Sequence, residues 1–424
     1  MKILITSSTF PARDDDPIPS FVREQAIWLK NHDSSLDIVA HAPHNIYSNT
    51  TSGSQPSLHY REIRFHYFWP YTWERLSGRG ILPALRANPL LYLQIPFMFV
   101  CQFLSLWRLA RRERPALLYA HWFTPQAINC ALVGKLCDIP FLFTTHASDV
   151  SVLAKLPFNK KLIAWVCQRA SAYTAVSERT AKKLASCFEQ QQWRNCYADK
   201  LSIIPMGVDA RPSPVSHSIQ EQTRQQFMLD QRPILLFIGR LTEKKGVDIL
   251  LRSFAALPAK TRDSLQLVIA GDGQLKSRLE EDVRNLKLSN VIFTGFVQGE
   301  TKDGLLSLSA LLCLPSIVDS RGDTEGFPVV LMEGLAHGKV ILASDATGAE
   351  DVLEHGENGF IFRSNSTEQL TSLLQQVIDM DLDRLMVIAK RAQAIANRYH
   401  WDNIGKAYYD WIVAADENSM ARKH

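Results

Sequence analysis

The sequence predicts an α/β protein built from two doubly wound parallel sheets, one in each half of the chain. Three observations predict it. Short apolar runs alternate with helix-length segments, the alternation stops at a polar stretch and then restarts, and 424 residues exceed what one hydrophobic core ordinarily fills. In the first half the strand candidates are 2–6, 36–40, 116–120, 141–145, 173–176 and 201–204. Runs of this length, separated by helices and not by tight turns, fit parallel β-α-β units. After Pro205 the chain turns polar (MGVDARPSPVSHSIQEQTRQQ), which marks a linker. Strand candidates resume at 234–238, 265–270, 291–294, 310–314 and 340–343. Near the end, Trp401, Ile404, Tyr408, Trp411 and Ile412 recur at helical spacing and predict a helix with an aromatic face on a core. The expected domains are 1–208, with 400–424 packing back on it, and 209–399. Two such halves imply a cleft, and ligands of open parallel sheets collect beyond the carboxyl ends of the strands.

Apolar and charged content are ordinary for a globular protein. The net charge of +4 is unevenly spread: residues 1–210 carry 23 Lys and Arg against 15 Asp and Glu, the remainder 24 against 28. A basic first half suits a partner of negative charge, such as a membrane surface or an acidic acceptor. Nucleic acid is not expected, because no nucleic-acid motif accompanies the charge. The seven cysteines are odd in number and form no C-x-x-C pair, so free thiols in a reducing compartment are expected. The start, MKILITSSTF, runs directly into a strand, so the cytoplasm is the expected location.

One segment breaks the alternation. Residues 65–73 (FHYFWPYTW) are dense in aromatics, 90–107 are almost continuously apolar, and Arg108, Arg111, Arg112 and Arg114 follow. The apolar run contains Gln94, Pro96 and Gln102 and falls short of the roughly 20 residues of a spanning helix. A buried helix is the expectation. The alternative is a surface helix that gives the 65–114 region peripheral membrane contact on the inner face of the plasma membrane.

The chemistry concentrates in two stretches. In 319–351 (DSRGDTEGFPVVLMEGLAHGKVILASDATGAED) a polar loop follows an apolar strand, and Pro328 opens a helical pattern. Proline suits a first helical turn, so Gly326 and Phe327 stand just before a helix start, where free amides and the positive dipole end favour an anion. Glu325 precedes this helix and Glu333 lies inside it, so a ligand reaching both is extended, with an anionic middle and hydroxyls at its ends. A nucleotide sugar has that shape; a capped surface helix with two solvated glutamates would carry the same residues. The second stretch is 238–246 (IGRLTEKKG), where Arg240 leaves a strand's carboxyl edge and Lys245 follows before a helix. These two cations could neutralise a diphosphate, although an ordinary solvated turn also contains lysines.

Gly239-Arg240-Leu241 with Lys245-Gly246, the turn Ala270 to Gly273, and Glu325-Gly326-Phe327 with Glu333 together resemble the family 4 retaining glycosyltransferases. Ala120-His121-Trp122, Thr145 to Asp149, Ala175 to Glu178 and Pro205 to Asp209 extend the likeness over nearly the whole chain, in the family's order. The resemblance implies the GT-B architecture, two Rossmann-like domains facing across a donor cleft. It implies that Arg240, Lys245, Gly326 and Phe327 meet the donor diphosphate, that Glu333 binds the ribose, and that Gly295, Phe296 and Val297 edge the base. Glu325, His146 and Asp149 become the catalytic candidates, His146 beside the reacting sugar and Asp149 as acceptor base. His121, Glu178 and Asp209 are expected to shape the site. The sequence departs from the family in its glycine-free loop 7–20, where Ser20 would cap the next helix, and at Ala147, Pro328 and Thr347.

The implied activity is a retaining hexosyltransferase that moves a sugar from a UDP- or GDP-linked donor to a glycan or lipid-linked acceptor, in polysaccharide or lipopolysaccharide biosynthesis. No cofactor is expected. Two cations and a helix N-terminus can stabilise a leaving diphosphate without a metal, and neither Asp14-Asp15-Asp16 nor Asp381-Leu382-Asp383 is assigned one. Three other readings use the same architecture. A nucleotide-sugar epimerase needs an acid/base set that the sequence does not assemble. A dehydrogenase would use Gly271-Asp272-Gly273 but has Lys276 at the third glycine position. A non-catalytic nucleotide-sugar scaffold would not need Arg240, Lys245, Glu325 and Glu333 together.

Overall fold

The structure, a computed structural model, describes residues 1–11, 20–45, 58–77, 81, 84–85, 88–146, 149, 159–208, 215–320, 322, 324–325 and 328–421. Two compact units result, Met1–Gly207 with Trp401–His424, and Val208–His400.

Among the described residues the first unit holds a seven-stranded parallel sheet: β1 (Lys2–Thr6), β2 (Asp37–Pro43), β3 (Arg61–Phe65), β4 (Leu117–His121), β5 (Phe141–Thr145), β6 (Ala172–Ala175) and β7 (Leu201–Ile203). Their order is β3-β2-β1-β4-β5-β6-β7, so the winding reverses between β1 and β4. Helices cover both faces, which explains strands that are apolar throughout. Leu4, Val39 and Leu118 pack on one side, Ile3, Ile5, Ile38 and Tyr119 on the other. The last helix, Trp401–Ala421, belongs to this unit: Ile412 and Ala415 join the Ile3 side, and Tyr408 donates its hydroxyl to Ile204 O at 2.8 Å. Trp401 lies so close to Gly207 that a Cβ there would stand 2.4 Å from the indole.

The second unit holds six parallel strands: β8 (Ile234–Ile238), β9 (Gln266–Ala270), β10 (Val291–Gly295), β11 (Ser309–Leu314), β12 (Val340–Ser344) and β13 (Phe360–Phe362). The order β10-β9-β8-β11-β12-β13 places a second reversal between β8 and β11. Beyond the carboxyl ends at such a reversal, the two flanking loops turn to opposite faces and leave a crevice.

Several expectations change. β3 reads REIRF, too charged to be seen as an apolar run, and β13 is three residues long. The supposed linker contains a helix, His217–Phe227, whose start is capped by the Ser216 hydroxyl accepting from Ile219 N. Ser20 stands at the cap of Phe21–His32, but its hydroxyl turns to the Glu24 carboxylate and not to a backbone amide. The apolar 90–107 run is not a buried helix. It forms a 3-10 turn, Pro89–Gln94, and a helix, Ile95–Glu113. Met98, Leu106 and Leu109 are buried, whereas Leu90, Tyr92, Leu93, Phe97 and Val100 are exposed. By length and composition Pro89–Glu113 could cross a membrane, and part of it packs on the sheet.

Glu113 ends this helix and ties three elements. It accepts from Lys2 Nζ of β1 (3.1 Å), Arg61 Nη2 of β3 (2.6 Å) and Arg112 Nε (3.1 Å). The Arg61 hydrogen bond foremost, joined by Lys2 and Arg112, draws its pKa down to about 2. A carboxylate whose pKa falls on folding stabilises the fold above its unfolded value and loses that contribution as pH drops through the folded value. Glu113→Gln is therefore expected to lower the urea midpoint at neutral pH. The deficit should shrink as pH falls from the ordinary carboxylate range toward about 2, and a deficit that stays constant with pH would contradict the assignment.

Candidate functional site

In the second unit the loop after β8 and the loop after β11 press together at the sheet reversal. Gly246 makes this possible. Its φ of 62° is a left-handed conformation, and a Cβ would lie 2.0 Å from Pro315 O. Ile317 N donates to Lys244 O (2.8 Å), and the Glu243 carboxylate accepts from Ser320 N and Oγ, both at 2.9 Å. On the other side, Gly271 lets the β9 loop meet Gly239, whose carbonyl would be 1.8 Å from a Cβ. The Gly271-Asp272-Gly273 turn thus serves loop packing.

This packing brings Lys245 Nζ to 3.2 Å from Glu325 Oε2 and Lys244 Nζ to 3.6 Å from Oε1. The Glu325 side chain is 11% exposed. Burial pushes its pKa up, but Lys245 and then Lys244 outweigh that and hold it below the usual carboxylate value. Oε1 has no hydrogen-bond partner among the described residues. The result is a buried carboxylate between two ammonium groups that an anionic ligand could draw away. Arg240 begins the same loop and is exposed. Lys244 was not singled out in the sequence, where it looks like any surface lysine.

Pro328 is extended (φ −77°, ψ 122°) and stands just before the helix Val329–Ala336, one place earlier than its expected first turn. Glu333, on that helix, accepts from Lys302 Nζ at 2.6 Å. Lys302 lies on the helix Gly299–Leu308 and gave no sequence signal. At the end of β10, Gly295 has φ 75° with open space where a Cβ would sit, Phe296 is 57% exposed and Val297 packs on the core. Thr347 is buried and donates to Leu314 O (3.0 Å), a structural tie. Gly326, Phe327, Ala147, Asp209 and Asp14 to Asp16 lie outside the described residues.

In the first unit, His121 ends β4 and His146 follows β5. Gln25 Nε2 donates to Tyr119 Oη (3.4 Å), which leaves its Oε1 to accept from His121 Nε2 (2.8 Å). His121 Nδ1 then accepts from His146 Nε2 at 3.2 Å. His146 is left with Nδ1 as an acceptor. Phe21 and Trp122 flank its ring at 5.1 and 4.7 Å, and burial pushes its pKa down to about 3, so it is neutral at ordinary pH. His121 is also depressed, by burial first and then by His146.

Asp149, expected as an acceptor base, has a positioning geometry. Its carboxylate accepts from Phe123 N (2.7 Å), Thr145 Oγ1 (3.0 Å) and His146 N (3.2 Å). These bonds fix the backbone of His146 and the segment after Trp122. Trp122 itself holds φ 73° and ψ 145°, a strained conformation that costs about 1–3 kcal/mol. Its N–H donates to Thr144 O at 2.9 Å, and its carbonyl accepts from Ala127 N at 3.2 Å.

Residues 55–211 match Glycosyltransferase Family 4 and residues 218–401 match Glycosyl transferases group 1. The chain belongs to the family 4 GT-B glycosyltransferases. The chain is 25% identical over 283 residues to a GDP-mannose-dependent alpha-(1-6)-phosphatidylinositol monomannoside mannosyltransferase of Mycobacterium tuberculosis, covering 65% of this chain and 70% of that one. It is 28% identical over 240 residues to a putative teichuronic acid biosynthesis glycosyltransferase of Bacillus subtilis, covering 56% and 55%. The fold matches Anabaena Alr3699/HepE, solved in complex with UDP, at a TM-score of 0.73 and 19% identity over 98% of this glycosyltransferase and 100% of that chain.

Proposed function

We propose that this glycosyltransferase is a retaining, metal-independent hexosyltransferase that uses a UDP- or GDP-linked donor and a glycan or lipid-linked acceptor of polysaccharide or lipopolysaccharide assembly. One observation carries the reading: two lysines and a buried carboxylate meet at the β8–β11 reversal. The bond from the anomeric carbon to the diphosphate breaks with its electron pair going to the phosphate oxygen. The acceptor oxygen bonds to that carbon, and its proton goes to the departing phosphate. Charge builds on the diphosphate, and Lys245, Lys244 and Arg240 are the cations placed to meet it. Gly326 and Phe327 add amides at the helix start, and Glu333 takes the ribose hydroxyls, with the base along Gly295 to Val297. Glu325, released from the lysines, turns to the sugar. Neutral His146 offers Nδ1 to a sugar hydroxyl. A UDP donor is supported by the bound nucleotide of the Anabaena neighbour, a GDP donor by the mycobacterial relative.

The acceptor end is proposed to lie at the cytoplasmic face of the membrane. Trp69, Trp73, Leu90, Leu93 and Phe97 are exposed, and Arg108, Arg111 and Arg112 follow on the helix that carries Phe97. This combination suits anionic lipid.

Two experiments test these readings. Turnover of a nucleotide-sugar panel, followed by NMR of the product anomer, is expected to show one donor used with retention and with activity kept in EDTA. Inversion, or loss of transfer in EDTA restored by magnesium, would overturn the mechanism. Vesicles containing anionic lipid should co-sediment the protein at low salt and release it at high salt, with Leu93→Asp/Phe97→Asp binding at least ~10-fold more weakly. Equal recovery of the native protein and this variant would remove the membrane contact.

A further inference from the structure

A second cluster lies in the first unit, at the carboxyl ends of β2 and β3. His44 follows β2 and His66 follows β3, whose last residues, Pro43 and Phe65, are register partners. His44 N donates to Phe65 O at 2.8 Å, which locks the two strand ends together. Glu74 follows the 3-10 turn Tyr71–Trp73, and its carboxylate is wholly buried. Oε1 accepts from Tyr67 N (2.5 Å) and Phe68 N (3.0 Å). Oε2 is met by His44 Nδ1 at 2.5 Å and His66 Nδ1 at 2.9 Å. The three ligating atoms lie within 4.8 Å of one another.

We propose that His44 Nδ1, His66 Nδ1 and Glu74 Oε2 form a zinc-type divalent metal site that clasps the aromatic 66–74 segment to the sheet edge. Two imidazoles and one carboxylate are a known zinc donor set that leaves a fourth position open. The groups that orient such ligands are also present. Two amides hold the far oxygen of Glu74, and the His66 ring stacks on Tyr71 (3.8 Å) and lies tilted against His44 (4.3 Å). The histidine side chains are 17% and 34% exposed, so an ion has a way in beside the closed carboxylate.

Charge gives the reason for an ion. The described partners of Glu74 are two amides and two imidazoles. No lysine or arginine pairs with this buried carboxylate among the described residues, and a buried charge without a fixed counter-charge is costly. A zinc ion supplies the missing charge. Tetrahedral ligands at about 2.0–2.1 Å from zinc stand roughly 3.3 Å apart, so entry must spread the present contacts by less than about 1 Å. Each Nδ1 then gives its lone pair to the metal. Its proton moves to Nε2 through solvent. The clasp takes no part in moving the sugar and is independent of the donor site.

The test uses untagged, full-length protein stripped with EDTA. Zinc chloride titrated by equilibrium dialysis is expected to bind at one ion per chain and to raise the melting temperature. Cobalt(II) should give the intense visible absorption of a four-coordinate site. His66→Ala, which removes a partly exposed ring, and His44→Ala should each weaken zinc binding at least ~10-fold. Both variants should keep the metal-free melting temperature within a few degrees and keep nucleotide-sugar binding. Absence of bound zinc at about 50 µM free metal, or undiminished binding in both variants, would overturn the site.

Discussion

The close approach of the β8 and β11 loops is the constraint on which the candidate site of the second unit depends. A side chain at Gly246 would strike Pro315 O, and without that approach Lys245 does not reach Glu325. The sheet order supplies the place, since winding reverses between these strands, and the glycine supplies the distance. The ion pair then stores a usable imbalance. Two ammonium groups face a carboxylate that burial alone would rather see protonated. In the proposed reading a diphosphate competes for the same cations, so ligand binding and release of Glu325 are opposite sides of one exchange.

The cluster at the ends of β4 and β5 in the first unit is neutral. Gln25, His121 and His146 form a directional hydrogen-bond chain in which each member has one donor task and one acceptor task. Burial keeps both imidazoles uncharged, so His146 presents a fixed acceptor and not a titrating group near neutral pH. The Asp149 carboxylate accepts from Phe123 N, Thr145 Oγ1 and His146 N to hold that segment, and the strained Trp122 is held by its own backbone bonds to Thr144 O and from Ala127 N. The expense of the strain buys a flat aromatic wall beside His146.

Much of this was readable in the sequence, for physical reasons. Buried parallel strands are apolar on both faces, so β1, β5 and β8 stand out as apolar runs with the ends the structure gives them. Edge strand β3 is partly exposed and charged, and the helix His217–Phe227 is polar, so neither carries that signal. Lys245, Glu325 and Glu333 stood out one by one because each sits in a compact local motif, but the contact between Lys245 and Glu325 did not. Lys244, Lys302 and the His44–His66–Glu74 cluster did not stand out. Their partners are separated by tens of residues, and nothing in a one-dimensional pattern distinguishes a lysine over a glutamate from a solvated one. The 90–107 run is not the buried helix expected, because apolar content alone does not tell which neighbour covers it.

The central claim is that Lys245 is shared between Glu325 and the donor diphosphate. A double-mutant cycle on nucleoside diphosphate affinity tests it most directly, using Lys245→Ala, Glu325→Gln and the pair. The account predicts that Lys245→Ala weakens binding by about 10–100-fold, while Glu325→Gln strengthens it or leaves it unchanged. It further predicts that the benefit of Glu325→Gln is lost once Lys245 is gone. Additive effects, or full diphosphate affinity in Lys245→Ala, would contradict it.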